Sequence, residues 1–365
     1  MSNVTEYKDI LAFHPGYYLA ETIEEMGYTQ EEFAIRLGVT PKTISIIVNG
    51  QCNLTRDISE KLAVMLGTSV EVWLNLQKRY EDKKQEIEQA RWLEKQSEIA
   101  RCIDYKYLVK NIGFPSVRNI QEKIKNLCKK LQVADLRIFL AKDFLVNYRN
   151  SISNIKKENM INSKVWLQIA INKAKENPII ESFKPKKLDE LVPIIRGLTI
   201  KEPDVFMSEL NKLFTKCGVK FIFLPYLKNS AINGAVKWLD SQHPILAIND
   251  RRNYSDTFWF SLFHEIKHLL QQKTKTIFLN GEVEYESFDL KLENEADIYA
   301  RETLIPCGNY KTFINQANFK ESDIVKFAKE IGIHPSIVLG RLQTDKIIPY
   351  NKFNKLRTKY RLDFT

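Results

Sequence analysis

Hydrophobic positions near the start of this chain recur at helical spacing in two short runs, which Gly38 separates. The first run follows Thr29, which begins a capping box, and the second follows Thr40 and Pro41. Threonine before a helix and proline at its first position are typical of helix N-termini, and glycine is typical of the residue after a helix. The pattern therefore predicts a helix-turn-helix over residues 29–50.

The second predicted helix has one face without the apolar residues that join the two helices. Polar side chains on such a face are typical of contacts to bases and phosphates of double-stranded DNA. Asn49 is suited to hydrogen bond an adenine, and Gln30, at the start of the first helix, is suited to a phosphate. The predicted DNA-binding residues are Gln30, Thr40, Lys42, Thr43, Ser45, Ile46 and Asn49.

Three short runs in the C-terminal half, at 219–224, 235–239 and 245–248, are rich in β-branched and aromatic residues and are bounded by turn-forming residues. They predict a small antiparallel sheet. A strongly apolar segment, 256–270, follows with helical spacing, so we expect a buried helix beside the sheet. The strand at Gly234–Leu239 is the one expected at an edge, where an extended peptide can pair with it.

The buried helix carries the motif H-E-x-x-H at His264, Glu265 and His268. Histidines four residues apart share one helix face, so both imidazoles can reach a single Zn²⁺ ion. Glu265 is then the expected general base, which takes a proton from the attacking water and returns it to the leaving amine. A chance match on an amphipathic helix is the alternative, but a buried His-Glu-His cluster needs a partner for its polar atoms. The motif predicts metal-dependent peptide hydrolysis and does not firmly distinguish zinc from manganese.

A catalytic zinc usually has three protein ligands, and the third is expected on the helical segment that ends before Pro306. Glu295 neighbours Ala296 and Tyr299 on the apolar side of this segment, so it is the predicted third ligand. The carboxylates that stay open as alternatives are Glu293 and Glu302. His243 and Tyr299 are weak candidates for stabilising the oxyanion.

The C-terminal half resembles the ImmA/IrrE family of metallo-endopeptidases. The matching stretches are Cys217–Pro225, Ile232–Asp240, His243–Asn249, the segment around the H-E-x-x-H motif, Glu295–Pro306 and Ile333–Gln343. The resemblance implies a zinc ion, a third ligand on the Glu of Glu-Ala-Asp, which is Glu295, and cleavage of a specific regulatory protein. Lys267 stands where the family more often has Gly, which leaves open whether its side chain crowds the site. His334 is expected to begin a helix rather than to bind metal.

Residues 8–80 resemble the HigA-type antitoxins within the wider group of Xre-type repressors. The resemblance rests on the helix-turn-helix together with the flanking segments His14–Gly27 and Leu54–Tyr80. It implies a five-helix domain that is usually a homodimer and binds a two-fold operator. The alternative is a helix-turn-helix that serves only to bind another protein.

The distribution of charge complicates the prediction of DNA binding. The chain has a net charge of +10, but residues 1–90 hold 9 Lys and Arg against 14 Asp and Glu, whereas residues 91–190 hold 21 against 11. We therefore expect modest, salt-sensitive DNA affinity unless the protein dimerises or the basic middle contributes. Lys-rich stretches such as Lys123–Lys130 are typical of a solvated helix face, with contact to DNA, RNA or an acidic partner as the alternative.

The sequence shows no signal-peptide pattern and no apolar run long enough to span a membrane. Its five cysteines are scattered without a C-x-x-C pair, which is typical of reduced thiols and argues against cysteine as a metal ligand. We therefore expect a cytoplasmic protein without a membrane partner.

These patterns predict a mainly α chain with a small antiparallel β-sheet (α+β). The predicted parts are a helix-turn-helix domain at 1–84, a helical middle region at 85–205 and a zincin-like metallopeptidase domain at 206–365. The predicted function is a transcriptional regulator fused to a zinc endopeptidase that cleaves a repressor-type protein. One alternative is a non-proteolytic HigA-type antitoxin and repressor whose zincin fold is a sensor or binds a cognate toxin. Another is self-cleavage near a connector at 184–205.

Overall fold

The computed structural model describes residues 3–141, 156–272, 286–315 and 319–360. The chain divides into two compact units, residues 1–97 and 98–365. The predicted middle region, 85–205, is therefore shared between the end of the first unit and the beginning of the second. Among the described residues, no helix is long and apolar enough to cross a membrane.

The first unit contains a β-hairpin and the predicted set of five helices. The hairpin, which the sequence analysis did not predict, pairs Val4 with Phe13 and Tyr7 with Ile10. Its strands and the helices that follow are β1 (Val4–Tyr7), β2 (Ile10–Phe13), α1 (Pro15–Glu25), α2 (Gln30–Leu37), α3 (Pro41–Val48), α4 (Arg56–Leu66) and α5 (Val70–Cys102), the last of which continues into the second unit.

The helix-turn-helix is formed by α2 and α3, and its ends are those the sequence predicts. Thr29 and Glu32 form the capping box of α2, and Gly38 ends the helix with φ of 72°. Thr40 caps α3, and its side chain accepts a hydrogen bond from the backbone N–H of Thr43. Phe33, Ala34, Leu37, Ile44 and Ile47 are buried between the helices, so the apolar face is used for packing and the opposite face stays available.

The second unit is mostly helical around one small sheet, which confirms the predicted fold class. In chain order, the helices before the sheet are α6 (Tyr105–Ile112), α7 (Ile120–Leu131), α8 (Lys157–Glu176), α9 (Pro185–Gly197) and α10 (Pro203–Lys216). The helices after the sheet are α11 (Ser255–Gln271), α12 (Glu286–Leu304), α13 (Cys307–Ile314), α14 (Glu321–Ile331) and α15 (Pro335–Thr344). Short 3-10 turns lie at Leu136–Leu140, Leu198–Ile200 and Asn354–Leu356.

The three predicted strands of the sheet are present as β3 (Lys220–Leu224), β4 (Gly234–Trp238) and β5 (Pro244–Asn249), but the sheet is mixed rather than antiparallel. Its order is β3-β5-β4, with β5 antiparallel to β4 and parallel to β3. The reason is that β5, which is buried at all six positions, lies between the two earlier strands. Central strands of this kind are continuously apolar.

The segment 184–205, which the sequence analysis treats as a connector, is helical and packed. Lys184 is the residue before α9, and Pro185 occupies the first turn. Leu188 and Ile195 are fully buried in the core of the second unit, and α10 begins at Pro203. The expected connector is therefore part of the folded unit, because the apolar side of α9 packs into the core.

Candidate metal centre and DNA-binding face

Three side chains from two packed helices converge in the second unit. His264 and His268 lie one turn apart on α11, and their Nε2 atoms are 3.0 Å from each other. Glu293, on α12, places one carboxylate oxygen 3.4 Å from Nε2 of His264 and the other 3.2 Å from Nε2 of His268. One nitrogen of each histidine and an oxygen of the glutamate all lie within 4.8 Å of one another.

The Nδ1 atoms of both histidines face away from this cluster and contact polar side chains. Nδ1 of His264 is 2.9 Å from a carboxylate oxygen of Asp297, and Nδ1 of His268 is 2.9 Å from Oε1 of Gln271. Metal-binding histidines commonly hydrogen bond through the second ring nitrogen in this way, which fixes the ring and its tautomer.

The electrostatics of the cluster favour positive charge. Burial disfavours a proton on His264, but the hydrogen bonds to Asp297 and Glu293 and the charge of Glu265 outweigh burial and raise the pKa of His264 to about 9. Burial likewise opposes protonation of His268, and Glu293 and Glu265 again raise the pKa. A site that attracts a proton through its carboxylates also attracts a metal cation.

The residues present fit a zinc ion. Imidazole nitrogen and carboxylate oxygen are both ordinary zinc ligands, and two histidines with one glutamate form a known catalytic set. The three donors are close enough for one ion, and each histidine has a hydrogen-bond partner outside the cluster. His264 is buried, whereas His268 and Glu293 are half-buried, so the ion would be partly accessible to solvent.

Glu265 is buried beside the cluster, at the edge strand β4. A Cβ atom at Gly234 would lie 2.9 Å from Cγ of Glu265 and 2.6 Å from Cδ1 of Ile248. The absence of a side chain at Gly234 therefore lets the strand backbone approach the glutamate. Glu265 is close enough to raise the pKa of both histidines through its charge.

The structure places Glu293 at the cluster and Glu295 outside it. One carboxylate oxygen of Glu295 accepts a hydrogen bond of 3.2 Å from Nε2 of Gln271. Glu302, the other alternative, accepts a hydrogen bond from the backbone N–H of Cys307 after the end of α12. The sequence analysis overlooked Asp297 and Gln271, although Asp297 lies four residues after Glu293 and therefore on the same helix face.

Three further residues that the sequence singles out have other contacts, namely Lys267, His243 and His334. Nζ of Lys267 lies 5.4 Å from the ring centre of Tyr299, so this side chain points towards α12 and does not crowd the cluster. His243 bonds to Asp240 through Nδ1, at the turn between β4 and β5. His334 is the N-cap of α15, as the sequence predicts.

The predicted DNA-binding residues differ in their exposure to solvent. Gln30, Thr40, Lys42 and Asn49 are exposed, whereas Thr43, Ser45 and Ile46 are half-buried. The hydroxyls of Thr40 and Thr43 bond to each other at 2.8 Å as part of the helix cap. The amide of Asn49 donates to the carbonyl of Ser45 at 2.8 Å, so Asn49 closes the end of α3 in this conformation.

Comparison with protein families identifies two parts of the chain. A family described as helix-turn-helix matches residues 19–73, and a family described as IrrE N-terminal-like domain matches residues 216–343. The first match covers the helix-turn-helix, and the second covers the sheet and the helices that carry His264, His268 and Glu293. The chain therefore combines a DNA-binding regulator domain with a domain of a peptidase family.

Individual relatives match a short part of the chain. An uncharacterized helix-turn-helix-type transcriptional regulator of Escherichia coli, YddM, is 36% identical over 63 residues, which are 17% of this chain and 67% of the relative. Antitoxin HigA-1 of Vibrio cholerae is 42% identical over 57 residues, 16% of this chain and 53% of the relative. The solved structure of a HigA-family addiction module antidote protein from Coxiella burnetii is 32% identical, with a TM-score of 0.22, and spans 23% of this chain and 91% of that one.

This chain belongs to the helix-turn-helix regulators related to HigA and carries an IrrE-like domain in its C-terminal half. It spans between half and about two thirds of the length of the curated relatives given above.

Proposed function

We propose that this protein is a cytoplasmic DNA-binding regulator whose C-terminal domain is a zinc endopeptidase that cleaves a specific regulatory protein of the repressor type. The observation that carries the proposal is the convergence of His264, His268 and Glu293 from two helices, within 4.8 Å of one another. We further propose Glu293, rather than Glu295, as the third ligand, because its carboxylate lies against both Nε2 atoms.

The proposed chemistry assigns separate tasks to the protein side chains. A bound zinc ion supplies a Lewis acid that lowers the pKa of water and polarises a peptide carbonyl. Glu265 is buried next to the ligands and accepts the proton of the attacking water, then donates it to the leaving amine. Asp297 and Gln271 hold the histidine rings in place through their Nδ1 atoms.

An extended peptide has a suitable binding edge beside Glu265. Within the described part of the chain, β4 is an outer strand of the sheet and pairs only with β5. Backbone pairing to such an edge holds a substrate by its main chain. Since a Cβ atom at Gly234 would lie only 2.9 Å from Cγ of Glu265, a peptide paired with β4 near this residue would pass close to the proposed general base.

The proposal for the first unit is recognition of a two-fold operator by a homodimer. Its support is the match to helix-turn-helix regulators and the exposed positions of Gln30, Thr40, Lys42 and Asn49 around α3. Thr43, Ser45 and Ile46 complete the proposed face. Because residues 1–90 carry a net negative charge, a dimer with two sets of phosphate contacts would bind more firmly than one copy.

The test of the metal centre is the zinc content of the purified protein, measured by mass spectrometry. We expect about one zinc per chain in the wild type, as for other catalytic zinc sites. His268→Ala and Glu293→Ala should both lose the ion, and Glu302→Ala, on the same helix as Glu293, should keep it. Loss of zinc from Glu295→Ala with full retention in Glu293→Ala would overturn the assignment of the third ligand.

The test of hydrolysis uses an unstructured peptide library, with cleavage products identified by mass spectrometry. Wild type loaded with zinc should cleave a restricted set of peptides, and Glu265→Gln should bind zinc equally but leave the library intact. Equal cleavage by the two proteins would remove Glu265 from the proposed role.

A second candidate function is a non-proteolytic antitoxin and repressor, which the similarity to antitoxin HigA-1 favours. In that case the IrrE-like domain would be a sensor or would bind a cognate toxin. A wild type that holds zinc, cleaves no peptide and forms a stable complex with a toxin encoded beside it would support this candidate over the protease.

A further inference from the structure

The contacts of Gln271 connect a histidine of the metal centre with a carboxylate that is not a proposed ligand. Gln271 is the last residue of α11, three residues after His268. Its Oε1 lies 2.9 Å from Nδ1 of His268, and its Nε2 lies 3.2 Å from Oε2 of Glu295 and 3.2 Å from the backbone carbonyl of Leu292. The side chain therefore spans from α11 to α12.

The orientation of this amide follows from the chemistry of its neighbours. A carbonyl and a carboxylate only accept hydrogen bonds, so the NH₂ group of Gln271 must face Leu292 and Glu295. Its oxygen must then face His268, and since an amide oxygen only accepts, Nδ1 of His268 must carry the hydrogen. In a neutral imidazole the lone pair is then on Nε2, the atom that faces His264 and Glu293.

We propose that Gln271 and Glu295 form a positioning pair that fixes the tautomer and ring orientation of His268 before an ion binds. The inference rests on the proposed metal centre and extends it to two residues outside the ligand set. His264 is held in the corresponding way by Asp297, directly through a carboxylate. His268 reaches its carboxylate through the amide, so Glu295 acts on the centre from a distance.

The C-terminal end of α11 places Gln271 next to α12. Gln272 follows with φ of 52°, a left-handed conformation that ends α11 directly after Gln271. The side chain of Gln271 thus comes from the final turn of α11 and reaches the backbone carbonyl of Leu292 in α12. Without it, His268 would keep its place on the helix but lose the contact that selects one ring orientation.

The first experiment measures zinc affinity of the full chain by competition with a chromophoric chelator. Gln271→Ala should raise the zinc Kd by about 10- to 100-fold, the usual effect of losing a hydrogen-bond partner of a metal ligand. Gln272→Gly is the matched control, because it removes the neighbouring glutamine side chain and keeps a backbone that favours positive φ. An unchanged Kd in Gln271→Ala would overturn the proposal while leaving the metal centre intact.

The second experiment exchanges the two members of the pair. Gln271→Glu alone places two carboxylates together and should weaken zinc binding. Adding Glu295→Gln restores one donor and one acceptor, since the new amide can donate to the new carboxylate while the latter accepts from Nδ1 of His268. The double variant should recover most of the lost affinity, and a double variant no better than Gln271→Glu would contradict the pairing.

The third readout does not need an ion. In metal-free protein labelled with ¹⁵N-histidine, two-bond ¹H–¹⁵N spectra report which ring nitrogen carries the hydrogen. At a pH above the pKa of His268, where the ring is neutral, we expect the Nδ1–H form for His268 in the wild type and a mixture of the two tautomers in Gln271→Ala. If the wild type binds no zinc, the proposed metal centre fails, but these spectra still decide whether Gln271 sets the tautomer. A wild-type His268 in the Nε2–H form would overturn the inference.

Discussion

The carboxylate of Asp297 lies 2.9 Å from Nδ1 of His264, and the carboxylate of Glu293, one turn earlier on α12, lies 3.4 Å from Nε2 of the same ring. One helix therefore holds this imidazole at both nitrogens. Because the carboxylate of Asp297 only accepts hydrogen bonds, it keeps a hydrogen on Nδ1, so a metal ion would be bound through Nε2, which faces His268 and Glu293.

Asp297→Asn should weaken zinc binding by about 10- to 100-fold, because the amide no longer selects the Nδ1–H form of His264. The measurement is chelator competition on the full chain. Glu302→Gln is the control on the same helix, and its affinity should match the wild type. If both variants bind zinc equally well, the contact between Asp297 and His264 does not support the metal centre.

Removal of the metal should lower the thermal stability of the second unit, since an ion held by α11 and α12 binds only the folded protein. At zinc near 100 times its Kd the ion adds about 2.7 kcal/mol, and for a domain of this size that corresponds to a fall in Tm of roughly 5–10 °C on chelation. Differential scanning calorimetry with and without EDTA measures the effect. His268→Ala should show the lower Tm already and should not respond to EDTA.

Gly340 allows α15 to pack against the half-buried carboxylate of Asp256 at the start of α11. A Cβ atom at this position would lie 2.4 Å from Oδ2 of Asp256, which pairs with Arg357 at 3.0 Å. Gly340→Ala should therefore destabilise the second unit by about 1–3 kcal/mol, the usual cost of overpacking. Denaturant unfolding measures the change. Gly308→Ala is the matched control, because a Cβ there meets nothing within 4 Å.

Gly16 brings α1 into direct contact with the end of α3. A Cβ atom on Gly16 would lie 1.9 Å from the carbonyl oxygen of Ile47, so Gly16→Ala must move the two helices apart. We expect faster hydrogen–deuterium exchange across 15–48 and loss of DNA binding, while zinc content stays that of the wild type. Unchanged exchange in this segment would show that the first unit tolerates the displacement.

Lys42 and Asn49 test the proposed DNA-binding face in different ways. Lys42 is exposed and has no ion pair within the described part of the chain, so Lys42→Ala should weaken binding to all sequences and reduce the salt slope by about 1. The probe is duplex DNA selected by the wild-type protein, measured by fluorescence anisotropy. Lys42→Ala with Asn49→Ala should abolish the shift of this DNA in a gel. An unchanged shift would remove α3 from DNA recognition.

The two helices of the helix-turn-helix and the strands of the sheet could be predicted from the sequence because local signals define them. Thr29 and Thr40 cap the N-termini of the two helices, Pro41 is the first residue of α3, and Gly38 ends α2. None of these signals depends on residues far away in the sequence. The order of the strands is a different matter. The apolar run of β5 is compatible with a central strand, but it does not show which strands pair with β5 or in which direction they run.

The two candidates for the third ligand, Glu295 from the sequence and Glu293 from the structure, differ in helical phase. Ala296 and Ala300 are fully buried, and Glu293 lies three and seven residues before them, in phase with that buried face. Glu295 directly precedes Ala296 and is therefore turned by about 100° from it. Helical phase relative to the buried alanines favours Glu293, whereas proximity in sequence favours Glu295. The amide contact through Gln271 could not be predicted from spacing, because it joins two helices.

The bare backbone of Gly234 has a consequence for any attempt to alter substrate preference. If β4 were randomised to change which peptides bind, substitutions at 234 would displace Glu265 or Ile248 before they touched a substrate. A selection for retained cleavage should thus recover glycine at 234 from nearly every survivor, and useful diversity would come from the other positions of the strand.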